Sequence, residues 1–470
     1  MHTRLPYGRM VAFSLGDFFG GGAFNIINFL YPGFLALAVG LPPALAGLVI
    51  FIARIFDALI DPPIGHFSDR LRVRFGTRRG SLLVSAPLIV LSLFLTFYPY
   101  SNPSLTLRFF LALFSYMFFC AVQSSTMIPY YSLVSEATEN YTERARVTVL
   151  RLGFSIFASI VCVALPGVIV GLFDDNTGYI AMSLIFGVVF MLCVAATGIF
   201  AKEGIPAPTQ TGRFVLRDFL RPFKVKPFRQ YLAIFLCCQI TMAVMSALFF
   251  FYVDFYFSRD LTAAGGTSMV GLIGAAILFG MQIVALPVYL NMIKKTNKTT
   301  AYVTGAVIWI VGALVLFVLP ANANPLYLYI LAAVLGFGIS GPGLVPHAIL
   351  PDVIDVGALQ FNARDAGAFS GVSNMIIQIG QAAGIAVVMA IIGAAGFVEQ
   401  SIYEGAAQVV SQPASAQHAI IVILAIAPLI FMSMGIFVCT RYRLNKDRHV
   451  QVLKALEGTP KEKEAVLESL

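Results

Sequence analysis

Long apolar runs separated by short polar breaks dominate this chain of 470 residues. Residues 80–107, 109–135, 176–201 and 230–253 contain no Asp, Glu, Lys or Arg. Each run is long enough for one bilayer crossing, which needs about 20 apolar residues in a helix. The charge-free stretch 299–351 is broken at Pro320-Ala-Asn-Ala-Asn-Pro325, which predicts two crossings joined by a tight turn. Continued along the chain, the pattern predicts twelve spans, near 9–39, 43–67, 80–100, 105–133, 147–172, 178–201, 229–257, 267–292, 299–320, 325–350, 366–397 and 417–440. The first run does not have the form of a cleaved leader.

Composition agrees. Hydrophobic residues make up 59% of the chain and charged residues 11%, against roughly 25% charged in soluble proteins. Too little polar surface is present to cover a water-soluble globule of this size. The six cysteines lie in apolar runs without metal-ligand spacing, as small core residues do. The formal net charge of +8 reports topology rather than a nucleic-acid partner. Apart from Arg54, Arg108 and Arg259, every Lys and Arg falls on one side of the predicted membrane or at its border. By the positive-inside rule that side is the cytoplasm, and both termini lie there. A bacterial inner membrane is the expected location.

The longest polar connection, 202–229, separates six spans from six. The predicted organisation is a bundle over 1–201, a cytoplasmic linker over 202–229, a second bundle over 230–440 and a cytoplasmic tail over 441–470. The fourth spans of the two halves end alike, at Ile128-Pro129-Tyr130 and Val345-Pro346-His347, each before an acidic loop. Parallel repeats of this kind place a substrate cavity near the bilayer midplane. After the second span comes Gly65-x-x-x-Asp69-Arg70, followed by Gly76-x-Arg78-Arg79. This pattern resembles the loop motif of the major facilitator superfamily. Gly65 is expected to allow close helix approach. Asp69, Arg70 and Arg78 are expected to form a gating latch at the cytoplasmic end.

Charged residues inside the spans carry the candidate chemistry. Asp57 and Asp61 are spaced i, i+4 and share a helix face with Arg54. Asp17 lies in the first span, with Phe24, Asn28 and Tyr31 expected on its face, and Arg151 opens the fifth. Intramembrane ionisable groups cost several kcal/mol and are functional by default. Three acids against two bases leave one negative charge, which a proton or a monovalent cation would neutralise. No nucleophile–histidine pair, metal cluster or phosphate loop is legible, so no enzyme is expected. His347 and His66 read as packing residues, and the tail from Lys446 to Lys454 as an amphipathic surface helix.

The run RIFDALIDPPIGHFSDR at 54–70 resembles the glycoside–pentoside–hexuronide:cation symporters, as do GDF at 16–18, IPYYSLV at 128–134 and DVIDVGALQFNARDAGAFSG at 352–371. The resemblance implies an all-α major facilitator fold of two pseudo-symmetric six-helix bundles. It implies that Asp57, Asp61 and Ser124 bind the coupling cation, Na+ or H+, with no other cofactor. Ile60 stands where the family has an asparagine, which removes an oxygen and favours a proton. Asp17, Tyr131 and Arg151 match the family's sugar-binding positions. Met127 replaces a family aspartate and Gln378 a family lysine. The expected substrate site is therefore Asp17, Asn28, Met127, Tyr131, Arg151 and Gln378, suited to a solute with a polar and an apolar end. The expected partners are that solute and membrane lipid, with no nucleic acid, and the expected carrier is a monomer. The rival readings are an exporter or flippase of lysolipid-like solutes and a non-transporting membrane sensor.

Overall fold

The computed structural model describes residues 6–100, 102–135, 141–173, 176–201, 218–257, 268–321, 323–361, 366–398, 412–444, 446–456 and 460–469. Among them twelve helices are long and apolar enough to cross a membrane. In chain order these are α1 (Tyr7–Ala38), α2 (Pro43–Phe75), α3 (Arg79–Thr96), α4 (Leu105–Ser135), α5 (Tyr141–Val170) and α6 (Thr177–Phe200). They continue as α7 (Lys226–Phe257), α8 (Met269–Lys295), α9 (Lys298–Val318), α10 (Pro325–Phe361), α11 (Ala366–Ala394) and α12 (Ala414–Arg441). Two short helices follow, α13 (Lys446–Leu456) and α14 (Pro460–Ser469). Most of the 202–229 connection lies outside the described residues.

Large apolar side chains such as Phe114, Leu172, Phe200 and Val318 are more than half exposed. In water such a surface would aggregate; in lipid it is the solvent-facing side. Prolines inside helices, at Pro62, Pro63, Pro129 and Pro166, are tolerated in membranes because neighbouring helices satisfy the freed backbone groups.

Two compact units emerge. The first comprises Met1–Phe214, Ser246–Ala276 and Ala386–Gln417; the second comprises Val215–Met245, Ile277–Ile385 and His418–Leu470. In the first, α1 packs on α5 and α6, where a Cβ on Gly22 would lie 2.7 Å from Cys162 Sγ and 3.0 Å from Phe190. Such small-residue contacts are how membrane helices gain dispersion energy without a hydrophobic drive. Tyr31 is fully buried and donates to the Ala112 carbonyl at 3.2 Å, so it serves α1–α4 packing rather than a cavity beneath Asp17. Arg108, an exception to the charge sidedness, donates to the carbonyls of Val39 and Gly40 at 2.7 and 2.9 Å. It caps the frayed end of α1. In the second unit Trp309 is fully buried, and Tyr302 donates to the Ile234 carbonyl at 3.3 Å. His347 packs edge-on against Phe235, with centroids 5.1 Å apart, as a packing histidine would. The side chain of His66 lies outside the described residues.

Two helices outrun their expected spans. α2 continues to Phe75 and stops at Gly76, whose φ of 72° is left-handed, a conformation glycine adopts without Cβ strain. α10 continues through Pro351 to Phe361. Asp352 and Asp355, expected in a loop, therefore stand on a helical extension. The tail helix is not a free surface helix either. Val452 and Ala455 of α13 are buried, and His449 reaches α10, with Nε2 3.1 Å from Asp355 Oδ2.

Candidate functional site

The fourth helix organises the site. Tyr116, Cys120, Ser124, Met127 and Tyr131 recur at spacings of three and four, so they form one face of α4. That face meets the charged face of α2. Ser124 Oγ lies 2.8 Å from Asp57 Oδ1 and 2.5 Å from Asp61 Oδ1. Arg54 Nη1 donates to Asp57 Oδ2 at 3.4 Å. Arg54 and Asp57 are both buried. The Arg54 guanidinium sits 5.2 Å from the Phe24 ring centre and 5.8 Å from that of Tyr116, and such cation–π contacts strengthen when desolvated. Sequence reading missed Tyr116 and its part in holding Arg54. The signal was available, because Tyr116 is two turns before Ser124 on the same face.

The Asp57–Ser124–Asp61 contact has a chemical consequence. A serine hydroxyl has one proton to donate. It can satisfy one carboxylate, and the second short oxygen–oxygen approach then calls for a proton on an acid or a cation between the oxygens. Two adjacent carboxylates in a low-dielectric setting repel otherwise. Three oxygens, Asp57 Oδ1, Asp61 Oδ1 and Ser124 Oγ, converge where such an ion could sit.

About two turns further along α1 and α4 a second cluster forms. Arg151 Nε lies 3.5 Å from Asp17 Oδ2, and its guanidinium is 5.2 Å from the Tyr131 ring centre. Gly20 marks where the cluster converges. A Cβ there would collide with Met127 Cε and come within 3.0 Å of Asp17 Oδ1 and 3.3 Å of Tyr131 Oη. Asp17 and Met127 are buried, whereas Tyr131 is 46% exposed and keeps ring surface for a ligand. The structure thus brings together Asp17, Met127, Tyr131 and Arg151. It does not bring Asn28 to them, since eleven residues along a helix separate Asn28 from Asp17 by about 16 Å. Gln378 is half-buried on α11, in the second unit.

The loop motif runs from the end of α2 to the start of α3. Arg78 is buried and its Nη1 donates to Ser68 Oγ at 2.7 Å, tying the end of α2 to the start of α3. Arg70 is exposed, and the side chain of Asp69 lies outside the described residues. Gly65 does not mark a close helix approach: a Cβ there would meet only Ile128 Cγ2, at an ordinary 3.7 Å.

Residues 12–446 match the family described as MFS/sugar transport protein. The chain belongs to this family. As members of it, transporters rather than enzymes are its relatives. A protein named an uncharacterized symporter, from Synechocystis, is 24% identical over 97% of both chains. The glucuronide carrier protein homolog of Escherichia coli is 22% identical over the full length of both. The sodium-dependent lysophosphatidylcholine symporter 1-A of Danio rerio is 21% identical over 73% of this chain and 69% of its own. A solved structure of the transporter PepTSo2 superposes with a TM-score of 0.63 at 12% identity, covering 92% of this chain and 97% of that one. This likeness shows the major facilitator fold. The resemblance to the glycoside–pentoside–hexuronide:cation symporters, read from the 54–70 run, is borne out. The chain is an integral membrane transporter.

Proposed function

We propose that the protein is a proton-coupled symporter of a glycoside-like solute with a polar and an apolar end, working by alternating access. The observation that carries the coupling is the single Ser124 hydroxyl set between Asp57 and Asp61, which asks for one extra positive charge. A proton suits it better than Na+. Hard cations take several oxygen ligands, and Ile60 adds none to the three that converge. The intramembrane set of three acids and two bases carries the same surplus. Lys and Arg sidedness supports an orientation with both termini in the cytoplasm.

The substrate reading rests on the second cluster. The Asp17–Arg151 pair offers charge-assisted bonds of both signs to hydroxyls or a carboxylate. Met127 and Tyr131 beside it offer an adaptable apolar wall and a ring face. A glucuronide joined to an aryl or alkyl group satisfies both. The fish relative, named for lysophosphatidylcholine, favours a second reading, because that solute's charged head and acyl chain also match a polar end beside an apolar wall.

Proteoliposomes separate the readings. An aryl glucuronide, methyl glucoside and lysophosphatidylcholine are offered under a proton gradient, a sodium gradient and neither. Uptake of the aryl glucuronide driven by the proton gradient is the expected result. Asp61→Asn abolishes accumulation while exchange of preloaded solute continues. Normal accumulation by the Asp57→Asn/Asp61→Asn variant would overturn the coupling assignment.

A further inference from the structure

A cavity of about 740 Å³ opens in the second unit, and none of the residues lining it belongs to either cluster described above. Its volume falls within the range of small-molecule sites. Three separate chain segments line it: the junction of α8 and α9, the helical extension of α10, and the stretch from the end of α12 into α13. The charges lining it are Lys294, Lys298, Arg443 and Arg448 against Asp352, so four positive minus one negative leaves three positive with His449 neutral.

The acid is already answered from within the protein. Lys298 Nζ contacts Asp352 Oδ2 and donates to the Ala348 carbonyl at 2.8 Å. His449 Nε2 lies 3.8 Å from Asp352 Oδ1. Lys294 and Arg443 are exposed and have no ion-pair partner among the described residues. The charges of Lys294 and Arg443 therefore stand where a ligand can reach them.

A second, independent feature points the same way. Tyr442 lines the cavity, and its buried Oη has no hydrogen-bond partner among the described residues. Burial, and then the nearby Asp352 carboxylate, hold the Tyr442 phenol well above its ordinary pKa. It stays an O–H donor. A buried donor left unpaired costs free energy, and a small rotation of the ring toward the cavity it lines would let a bound acceptor remove that cost. The positive-inside bias explains why Lys and Arg gather at this end of the helices. It does not explain a cavity shared by three chain segments with an unanswered buried hydroxyl.

We propose that this cavity binds a phosphate-bearing anion. Arg forks and Lys ammoniums match the charge and the oxygen geometry of phosphate, and the two positive charges of Lys294 and Arg443 exceed what one carboxylate would need. The site sits where α8, α9 and α12 end, at the membrane boundary. Either an anionic phospholipid head group or a soluble phosphorylated compound can reach it there, and basic pockets between helix ends bind the former in other membrane proteins.

The purified full chain tests this in two arms. In detergent, pyrophosphate is titrated calorimetrically. In nanodiscs of phosphatidylcholine with and without phosphatidylglycerol, retained lipid is counted by native mass spectrometry. Three variants are compared with the wild type: Lys294→Gln/Arg443→Gln, Tyr442→Phe, and the charge-matched control Lys224→Gln/Lys226→Gln, which lies outside the cavity. Pyrophosphate binding that weakens about tenfold or more in the first variant and severalfold in the second, as loss of charge-assisted bonds implies, supports a soluble phosphate ligand. Selective retention of phosphatidylglycerol, lost in the same variants, supports a lipid. The control keeps binding within about twofold in either arm, because neither lysine lines the cavity and both are exposed, where charges are screened. No binding in both arms, or equal losses in the control, would overturn the proposal.

Discussion

Replacing Ser124 with Ala separates a proton from a sodium ion at the coupling site, because the two ions require opposite signs. Ser124 Oγ approaches Asp57 at 2.8 Å and Asp61 at 2.5 Å. A hydroxyl that donates to a carboxylate stabilises its charged form, so removing it strengthens proton binding. Toward sodium the same oxygen is a ligand, so removing it weakens binding. A hydrogen bond to a charged group contributes about 1.5–3 kcal/mol, which corresponds to roughly a ten- to hundredfold change in ion affinity. A proton-driven Ser124→Ala carrier therefore reaches half-maximal accumulation about one to two pH units higher than the wild type. A sodium-driven one needs roughly ten- to hundredfold more sodium. The fold survives the change, because Asp57 keeps its Arg54 contact at 3.4 Å. The assay is solute accumulation in proteoliposomes across a pH series and a sodium series, with Ser124→Thr as the hydroxyl-retaining control. An alanine variant with unchanged dependence on both ions would refute the argument that Ser124 bridges the two acids.

Arg54→Gln leaves Asp57 buried without its charge partner and removes the contacts on Phe24 and Tyr116. A loss of about 3–5 kcal/mol is expected for a broken buried pair, read as a lower thermal midpoint. Gly20→Ala puts a Cβ against the flexible end of Met127 and 3.0 Å from Asp17 Oδ1; Met127 can swing aside, so the cost should lie at the low end of overpacking, about 1 kcal/mol. Gly20→Ala/Met127→Ala recovers most of that by the coupling expected of touching residues, measured as a double-mutant cycle on thermal stability. Met127→Asp places an acceptor beside Asp17 and Tyr131, so methyl glucoside binding tightens while binding of the aryl glucuronide weakens, measured by competition titration. Asp69→Ala slows transport more than it weakens solute binding, and full transport in that variant would remove the motif from gating.

How far the sequence reaches depends on the range of the physics involved. The twelve spans were legible because the bilayer imposes a length and an apolar composition on each helix locally. The shared face of Arg54, Asp57 and Asp61 was legible because helical periodicity is local too. Asp17 and Arg151 were legible singly as charges inside spans, but their grouping in one site, and that of Ser124 with the two acids, came through family resemblance. Tertiary packing decided the rest. Only the docking of α4 on α2 brings Ser124 to Asp57 across 67 positions of chain, and only that docking seats Arg54 against Tyr116. Past the membrane surface the apolar signal ends, so the continuation of α2 to Phe75 and of α10 to Phe361 left no mark in hydropathy. Gly65 looked like a contact residue because glycine permits close approach. Permission is a property of the residue, whereas an approach requires a partner, and Ile128 stands at an ordinary distance. The cavity beneath α10 is tertiary in the same sense. Its cations come from segments roughly 150 positions apart along the chain, and only the folded helix ends place Tyr442, Lys294 and Arg443 around one space.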